Sequence, residues 1–177
     1  MHHGYHGTTM DDIAAQSGTS KGTLYWYFES KEDLLETAVR ELFADAFGEE
    51  ALSELDTYTS ASDKLRALGQ SMIAFMHEVQ ELVALFLEFW ASSPQREHVA
   101  DLWMDLLVQY KDTVTTIIEV GIETGEFRPV DAEALVWALL STYDGLAIYW
   151  LFEPKLDLRH IHEIYLETVL RGLEAER

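Results

Sequence analysis

The sequence contains no cysteine, no asparagine and only three prolines among its 177 residues. The absence of cysteine excludes disulfide bonds, thiolate metal sites and a cysteine nucleophile. The absence of asparagine excludes N-linked glycosylation acceptors. The residues before Gly4 include no apolar stretch of the kind that a secretory signal requires. A chain without disulfides or a secretory signal is expected in the cytoplasm.

Basic side chains are also scarce, with 12 lysines and arginines against 32 acidic residues and a formal net charge of −20. Over the whole chain this charge argues against a nucleic-acid partner, because duplex binding normally requires a basic face. The excess of acidic over basic side chains is unevenly distributed along the chain, however. Residues 1–48 contain three basic and eight acidic side chains, whereas residues 49–177 contain nine and twenty-four. The global charge therefore does not exclude DNA contact by the N-terminal segment.

The one long apolar run, residues 134–152, contains Asp144 at its centre. A carboxylate in the middle of a bilayer costs roughly 2.5–3.5 kcal/mol on insertion scales. We therefore expect a buried helix of a soluble protein rather than a membrane span, and no membrane partner.

Apolar residues recur at three- and four-residue spacing almost throughout, and no useful strand alternation is present, so the predicted fold class is all-α. Capping residues and helix breakers, among them Pro94, divide the chain into segments. The predicted helices cover residues 9–17, 20–27, 30–47, 62 or 63 to 90, 95–124, 132–152 and a last stretch through 161–173. The acidic stretch 48–60 is the predicted hinge or boundary.

The first two of these helices are short and are joined by a tight turn, which is the arrangement of a helix-turn-helix whose second helix enters the major groove. That second helix begins with the small or polar residues 20–23, which allow the backbone to approach DNA closely. Tyr25 and Tyr27 offer hydroxyl donors to phosphate oxygens. Leu24 and Phe28, four residues apart, are the predicted inward anchors.

Lys31 lies in the first turn of the third helix, where the helix dipole disfavours a cation by roughly 0.3–1 kcal/mol. A phosphate beside it would reverse that penalty, so Lys31 is a candidate phosphate contact. The alternative is an ordinary solvated lysine.

Residues 4–14 (GYHGTTMDDIA) and 18–35 (GTSKGTLYWYFESKEDLL) resemble the DNA-binding domain of the TetR family of transcriptional regulators. The resemblance implies a homodimeric, all-helical, ligand-responsive repressor. Its helix-turn-helix domain would cover residues 1–47, and its effector-binding and dimerisation domain would cover residues 48–177. The DNA-binding residues are then Lys21, Gly22 and Thr23 on base edges, Thr9, Tyr25, Tyr27 and Lys31 on phosphates, and Ser20 and Trp26 beside them at the groove.

Members of that family have a further helix before the Gly4-Tyr5 turn, whereas only three residues precede the turn here. Either this sequence or the protein itself lacks that helix. If the protein lacks it, the DNA-binding head loses packing and basic residues.

The segments 125–128 (GEFR) and 144–146 (DGL) resemble the effector domain of the same family. Aromatic and methionine side chains in this half are either core residues or the lining of a cavity for an apolar or aromatic effector. The candidate ligand-binding residues are Met72, Phe75, Met76, Phe86, Phe89, Trp90, Trp103, Tyr110, Trp137 and Tyr143. Glu88, Asp105 and Asp144 are the carboxylates that could instead face a cationic effector.

The helix predicted at 132–152 is apolar nearly all round and must therefore bury two faces. One face can pack in its own domain and the other on a second copy. With the final helix it would form a four-helix interface that places two recognition helices on successive half-sites.

Residues 18–22 match the Gly-x-Ser-x-Gly nucleophile elbow, but that motif needs a preceding strand and a surrounding sheet. His160 and His162 are two apart, on different helix faces, which disfavours a metal pair. We therefore expect no enzyme, metal or cofactor. The predicted function is a repressor that leaves a palindromic operator when a small molecule binds the C-terminal domain. The alternative is an acidic helical module that binds small molecules or proteins but not DNA.

Overall fold

The computed structural model describes residues 4–92 and 96–175, which form α-helices and one 3₁₀ turn without any strand ladder. The predicted all-α class is confirmed. The helices are α1 (Gly4–Gly7), α2 (Met10–Ser17), α3 (Lys21–Tyr27), α4 (Lys31–Phe47), α5 (Glu49–Ser53), α6 (Ala61–Glu78), α7 (Gln80–Ser92), α8 (Arg96–Glu123), α9 (Ala132–Phe152) and α10 (Leu158–Leu173), with the 3₁₀ turn at Glu54–Thr57. The predicted break at Pro94 and the predicted lack of a helix before Gly4 concern positions outside the described residues.

The helix-turn-helix consists of α2 and α3, and capping side chains fix its ends. The Asp12 N–H donates to Thr9 Oγ1 at 3.2 Å, while the Thr9 N–H donates to Asp12 Oδ2 at 2.9 Å, which completes the predicted capping box. Gly18 ends α2 at φ 70°, in the left-handed region that suits glycine. Ser20 Oγ accepts the Thr23 N–H at 3.0 Å and starts α3.

These two helices share a small apolar core that is separate from the main one. Met10 and Ala14 of α2 pack against Leu24 of α3, and all three are buried. The partly buried residues around them are Ile13, Phe28 and Leu34. The two predicted inward anchors of α3 therefore face the head's own core.

Helix α4 belongs to both cores. Leu34 packs with the head, whereas the next residue, Leu35, is buried in the main core together with Val39 and Phe43 farther along the helix. The two cores thus meet at the start of α4, whereas the predicted domain boundary lies at its end.

The C-terminal helices follow the predicted order with two differences. Ser60 Oγ accepts the Asp63 N–H at 3.0 Å, so α6 begins at Ala61, slightly earlier than predicted. The predicted run to Trp90 is interrupted at Val79, where α6 ends and α7 begins. Apolar spacing could not reveal this break, because both helices turn apolar residues towards the same core.

The loop between α8 and α9 caps another helix. The Glu126 carboxylate accepts the N–H groups of Ala61 and Ser62, each at 2.8 Å, at the start of α6. Burial raises the pKa of Glu126, but the hydrogen bonds that it accepts from the Ser62 hydroxyl and from the two N–H groups outweigh burial, so that the pKa lies below its ordinary value. The GEFR segment therefore has a structural role here.

The same loop also ties α8 to α10. Phe127 is 2% exposed and forms an isolated antiparallel bridge with Glu174. Arg128 Nε donates to the carbonyl oxygen of Gly172 at 2.6 Å. The Phe127 ring lies directly over Gly121 of α8, which leaves no room for a side chain there.

Among the described helices, α9 alone is long and apolar enough to cross a membrane by length and composition. Val136, Leu140 and Tyr143 are buried in the core, yet only 28% of its most apolar window is buried within the chain. Phe152 is 80% exposed, and Tyr149 is also exposed. The expected burial of α9 is therefore achieved on one face only within a single chain.

We expect Gly121→Ala to lower the free energy of unfolding by about 1–3 kcal/mol, because overpacking a filled core forces side chains or backbone to shift. The new Cβ would lie 2.3 Å from Phe127 Cδ2 and 3.0 Å from Ala61 Cβ. Urea denaturation measures the change. The control Gly172→Ala, also helical but with no neighbouring atom within 4 Å, should be neutral or more stable by about 0.5–1 kcal/mol. Equal effects of the two substitutions would contradict this account.

Candidate nucleic-acid interface and effector cavity

The exposed side of α3 carries an unusual concentration of aromatic side chains. Tyr25, Trp26 and Tyr27 are all exposed, and Trp26 reaches 78%. The Trp26 and Tyr27 rings meet edge to face, with their centroids 4.6 Å apart. Aromatic residues are rarely left in water without a role when they are contiguous, so this face is suited to contact another molecule.

The first turn of α3 is polar and open. Ser20 Oγ and Thr23 Oγ1 lie 2.7 Å apart, and both residues are exposed. Gly22 has no neighbour closer than Ser20 Oγ, 3.9 Å from where a Cβ would be, so its backbone is accessible. Lys21 Nζ forms an exposed ion pair with Asp11 of α2 at 2.7 Å. The sequence did not predict this pair, which ties a candidate base-reading lysine to the preceding helix.

The structure places Lys31 in a different setting from the one inferred from its helix position. Its Nζ donates to the carbonyl oxygens of Tyr5 and Thr8, the second at 2.8 Å, and lies 4.1 Å from the centre of the Tyr5 ring. These carbonyl groups offset the unfavourable dipole of α4 without a phosphate. An ammonium group has three N–H donors, so one remains for a further acceptor.

Tyr5 connects α1 to two other helices. Its hydroxyl donates to Glu32 Oε1 of α4 at 2.8 Å, and its ring lies 5.1 Å from the ring of Phe89 on α7. Burial, then the hydrogen bond to Glu32, raises the pKa of Tyr5 well above its ordinary value. The Glu88 carboxylate of α7 accepts the N–H groups of Tyr5 and His6, at 2.9 and 3.2 Å.

A hydrolase elbow is not formed by residues 18–22. Helix α2 precedes the turn, where the motif requires a strand, and the Ser20 hydroxyl is engaged in capping α3. His162 is buried while His160 is exposed, and the described residues contain no group of three or more metal-ligating side chains.

A cavity of about 350 Å³ lies in the C-terminal domain between α4, α6, α7, α8 and α9. Seven of the candidate ligand-binding residues surround it: Met72, Phe75, Met76, Phe86, Trp90, Trp103 and Tyr143. Its remaining lining residues are Val39, Leu42, Phe43, Val79, Leu82, Val83, Leu87, Val99, Ala100, Met104, Leu107, Leu140, Asp144, Ala147 and Ile148. Sequence reasoning missed the aliphatic walls, because their spacing is that of any core helix.

Three other candidates lie away from this cavity. Phe89 is buried against Tyr5, and Tyr110 packs on Phe47 with ring centroids 4.8 Å apart. Trp137 is partly exposed on the outside of α9. Phe89 and Trp90 adjoin in sequence but point to different sides of α7, a distinction that the aromatic content of the segment could not make.

Polar groups behind the cavity are paired. The Tyr143 hydroxyl lies 3.1 Å from His162 Nδ1, and His162 is buried. Burial lowers the pKa of His162, which favours the neutral ring as the partner of this hydroxyl. Gly69 makes room for that ring, since a Cβ there would lie 2.4 Å from His162 Cε1.

Two family comparisons cover both halves of this arrangement. Residues 1–38 match "Bacterial regulatory proteins, tetR family", and residues 61–173 match "BetI-type transcriptional repressor, C-terminal". The chain belongs to the TetR family of transcriptional regulators. As a TetR-family protein it is a DNA-binding transcriptional repressor, which decides between the two functions that the sequence left open.

Individual TetR-family relatives match almost the whole chain. The HTH-type transcriptional repressor KstR2 of Rhodococcus jostii is 29% identical over 97% of this chain and 84% of its own. The fatty acid metabolism regulator protein of Bacillus subtilis is 26% identical over 96% and 87%. The structure of a transcriptional regulator from Saccharomonospora viridis, solved in complex with choline, is 28% identical, with a TM-score of 0.80 over 98% and 90% of the two chains.

We expect Lys31→Met to lower the free energy of unfolding of this TetR-family protein by roughly 1–3 kcal/mol, because two partly buried carbonyl groups lose a charged donor. Thermal and urea unfolding measure the change. Lys21→Met is the matched control, and it should change stability little because its ion pair with Asp11 is exposed. If the two variants were equally stable, Lys31 would have no structural role.

Proposed function

We propose that α3 is the recognition helix and lies in the major groove of a palindromic operator. Lys21, Gly22 and Thr23 would meet base edges, with Ser20 and Trp26 beside them. Thr9, Tyr25, Tyr27 and Lys31 would contact phosphates. The observation that carries this proposal is the exposed, open and polar first turn of α3 next to three exposed aromatic side chains.

DNA binding on this face requires an exchange of partners at Lys21. Its ammonium group is paired with Asp11 in the free protein, and a guanine edge or a phosphate oxygen would replace that carboxylate. Because the ion pair is exposed, the exchange costs little. The Asp11 carboxylate, left without its partner, would then repel the DNA phosphates. Binding is therefore favoured only at positions along the DNA where Lys21 makes its full set of contacts.

The effector is proposed to be a molecule with a largely apolar body that fills the cavity. All of the described lining side chains except that of Asp144 are aliphatic, aromatic or methionine. A volume of about 350 Å³ lies at the lower end of the range typical of small-molecule sites, about 300–1,000 Å³. Met72, Met76 and Met104 provide flexible walls that adapt to ligand shape.

Helix α4 is proposed to couple the two sites. Val39, Leu42 and Phe43 line the cavity, while Leu34 packs in the head. A ligand that displaces the first group moves the helix and the head with it, and the operator is released. The effector must bind the DNA-free arrangement more tightly for this to occur.

The protein is proposed to act as a homodimer through α9 and α10. The outward face of α9 combines small residues, Ala134, Ala138, Ser141 and Gly145, with exposed Tyr149 and Phe152. On α10, Ile164 is 58% exposed. Small residues allow two such helices to approach closely, and a two-fold arrangement would present two recognition helices to two half-sites. A cytoplasmic location and the absence of catalytic activity complete the proposal.

We expect Thr23→Ala to alter the preferred base at one operator position, at a cost of about 1–3 kcal/mol there. Fluorescence anisotropy with a panel of single-base operator variants measures it. Tyr27→Phe is the contrast, since loss of a phosphate contact should weaken binding to every variant alike. Both residues are exposed, so folding should be unaffected. If Thr23→Ala weakened binding to every operator variant alike, its role in base reading would be refuted. If the wild type bound all operator variants equally, the proposed placement of α3 in the major groove would be refuted.

We expect Ile164→Asp to yield a folded monomer with little operator affinity, because a carboxylate would be buried in the proposed interface. Sedimentation velocity and anisotropy measure the two effects. Val108→Asp is the matched control, since Val108 is a similarly exposed aliphatic residue on α8, away from α9 and α10, and should leave both properties unchanged. A dimeric Ile164→Asp protein would place the interface elsewhere.

A further inference from the structure

The effector cavity contains one feature that its apolar walls do not explain. Among the described residues that line it, Asp144 is the only one with a formal charge. It lies on α9 next to Tyr143 and shares the cavity wall with Ala147 and Ile148. Solvent reaches its side chain, so the carboxylate stands at the mouth of the cavity rather than at its bottom.

The sequence suggested two other carboxylates as partners of a cationic effector, and both contact other groups of the protein. Glu88 accepts two N–H groups of α1, and Asp105 lies 3.9 Å from Arg40. Asp144 has no ion pair or hydrogen bond with any side chain in the described part of the protein. Partial burial raises the pKa of Asp144, so a cation beside the carboxylate would stabilise its charged form.

Aromatic side chains in the same cavity favour the same ligand charge. Phe86, Trp90 and Trp103 line it, and Phe86 and Trp103 pack with ring centroids 5.0 Å apart. The faces of such rings attract cations, tryptophan most strongly. They also bury the apolar groups next to a charged nitrogen.

We propose that the effector is an amphipathic cation, whose ammonium group binds the Asp144 carboxylate at the cavity mouth and whose apolar body lies among the aliphatic and aromatic walls. This identification rests on the proposed function, in that the cavity is taken as the effector site. It distinguishes the ligand from a neutral or acidic lipid of the same length, for which the site offers no charged partner among the described residues.

Three probes with the same decyl chain test the charge preference: decyltrimethylammonium, decanol and decanoate, each below its micelle concentration. Isothermal titration calorimetry on the full chain should show the cation binding at least about tenfold more tightly than the alcohol, the scale of one favourable charge contact at a partly solvated site. In Asp144→Asn the cation and the alcohol should bind within about threefold of each other.

Glu133→Gln is the matched control, because it removes the same charge from an exposed position of α9 outside the cavity, and it should keep the preference of the wild type. Decanoate binding as tightly as the cation, or a cation preference that survives in Asp144→Asn, would overturn the inference.

An operator titration separates failure of this inference from failure of the proposed function. Operator DNA selected by the protein from a random duplex pool is the second ligand. Release by decanol or decanoate but not by the cation would overturn the ligand class and leave the repressor intact. Tight binding of the cation without any operator binding would refute the proposed function instead. Asp144→Asn should lose its response to the cation, whereas Glu133→Gln should bind the operator and respond to the cation like the wild type.

Discussion

Everything in this structure depends on one helix being shared by two apolar cores. Leu34 and Leu35 are neighbours in sequence, but the first closes the small core of the head and the second enters the main core. Within the described residues the small core of the head has three buried members, so the head also relies on α4 and on the Tyr5–Lys31 contacts for its position. The proposed transmission from the C-terminal domain to the head would therefore run along α4.

Local signals in the sequence predicted the head well. Thr9, Gly18, Ser20 and Ser30 act through bonds to residues a few positions away, and each terminates or starts the helix expected of it. The long-range partners were not accessible in the same way. Nothing in the segment around Lys31 indicates that Tyr5 and Thr8 would supply its acceptors, or that Asp11 would engage Lys21.

The effector half shows the same division between local and distant information. The aromatic and methionine content left core packing and cavity lining open as alternatives. Most of those side chains surround the cavity, but periodicity could not distinguish Trp90, in the wall, from Phe89, packed on Tyr5. Similarly, the GEFR segment resembles the effector domain of the family, but the sequence does not show which contacts these residues make. Its glutamate caps α6 and its phenylalanine fills the space above Gly121, contacts that only the folded chain brings together.

The distance along α4 between the cavity and the head determines how far a given tilt of this helix would move the head. Seventeen residues at about 1.5 Å each make a rigid rod of about 25 Å, anchored in the cavity wall near Val39 and Phe43. From Val39 to the head end of α4 at Lys31 is eight residues, or about 12 Å, so a tilt of about 10° at that pivot would shift this end by about 2 Å, about a sixth of the roughly 12 Å width of the major groove. In the proposed mechanism the head would therefore move by about the size of a side chain, without unfolding, and each recognition helix would shift within its groove by the same amount.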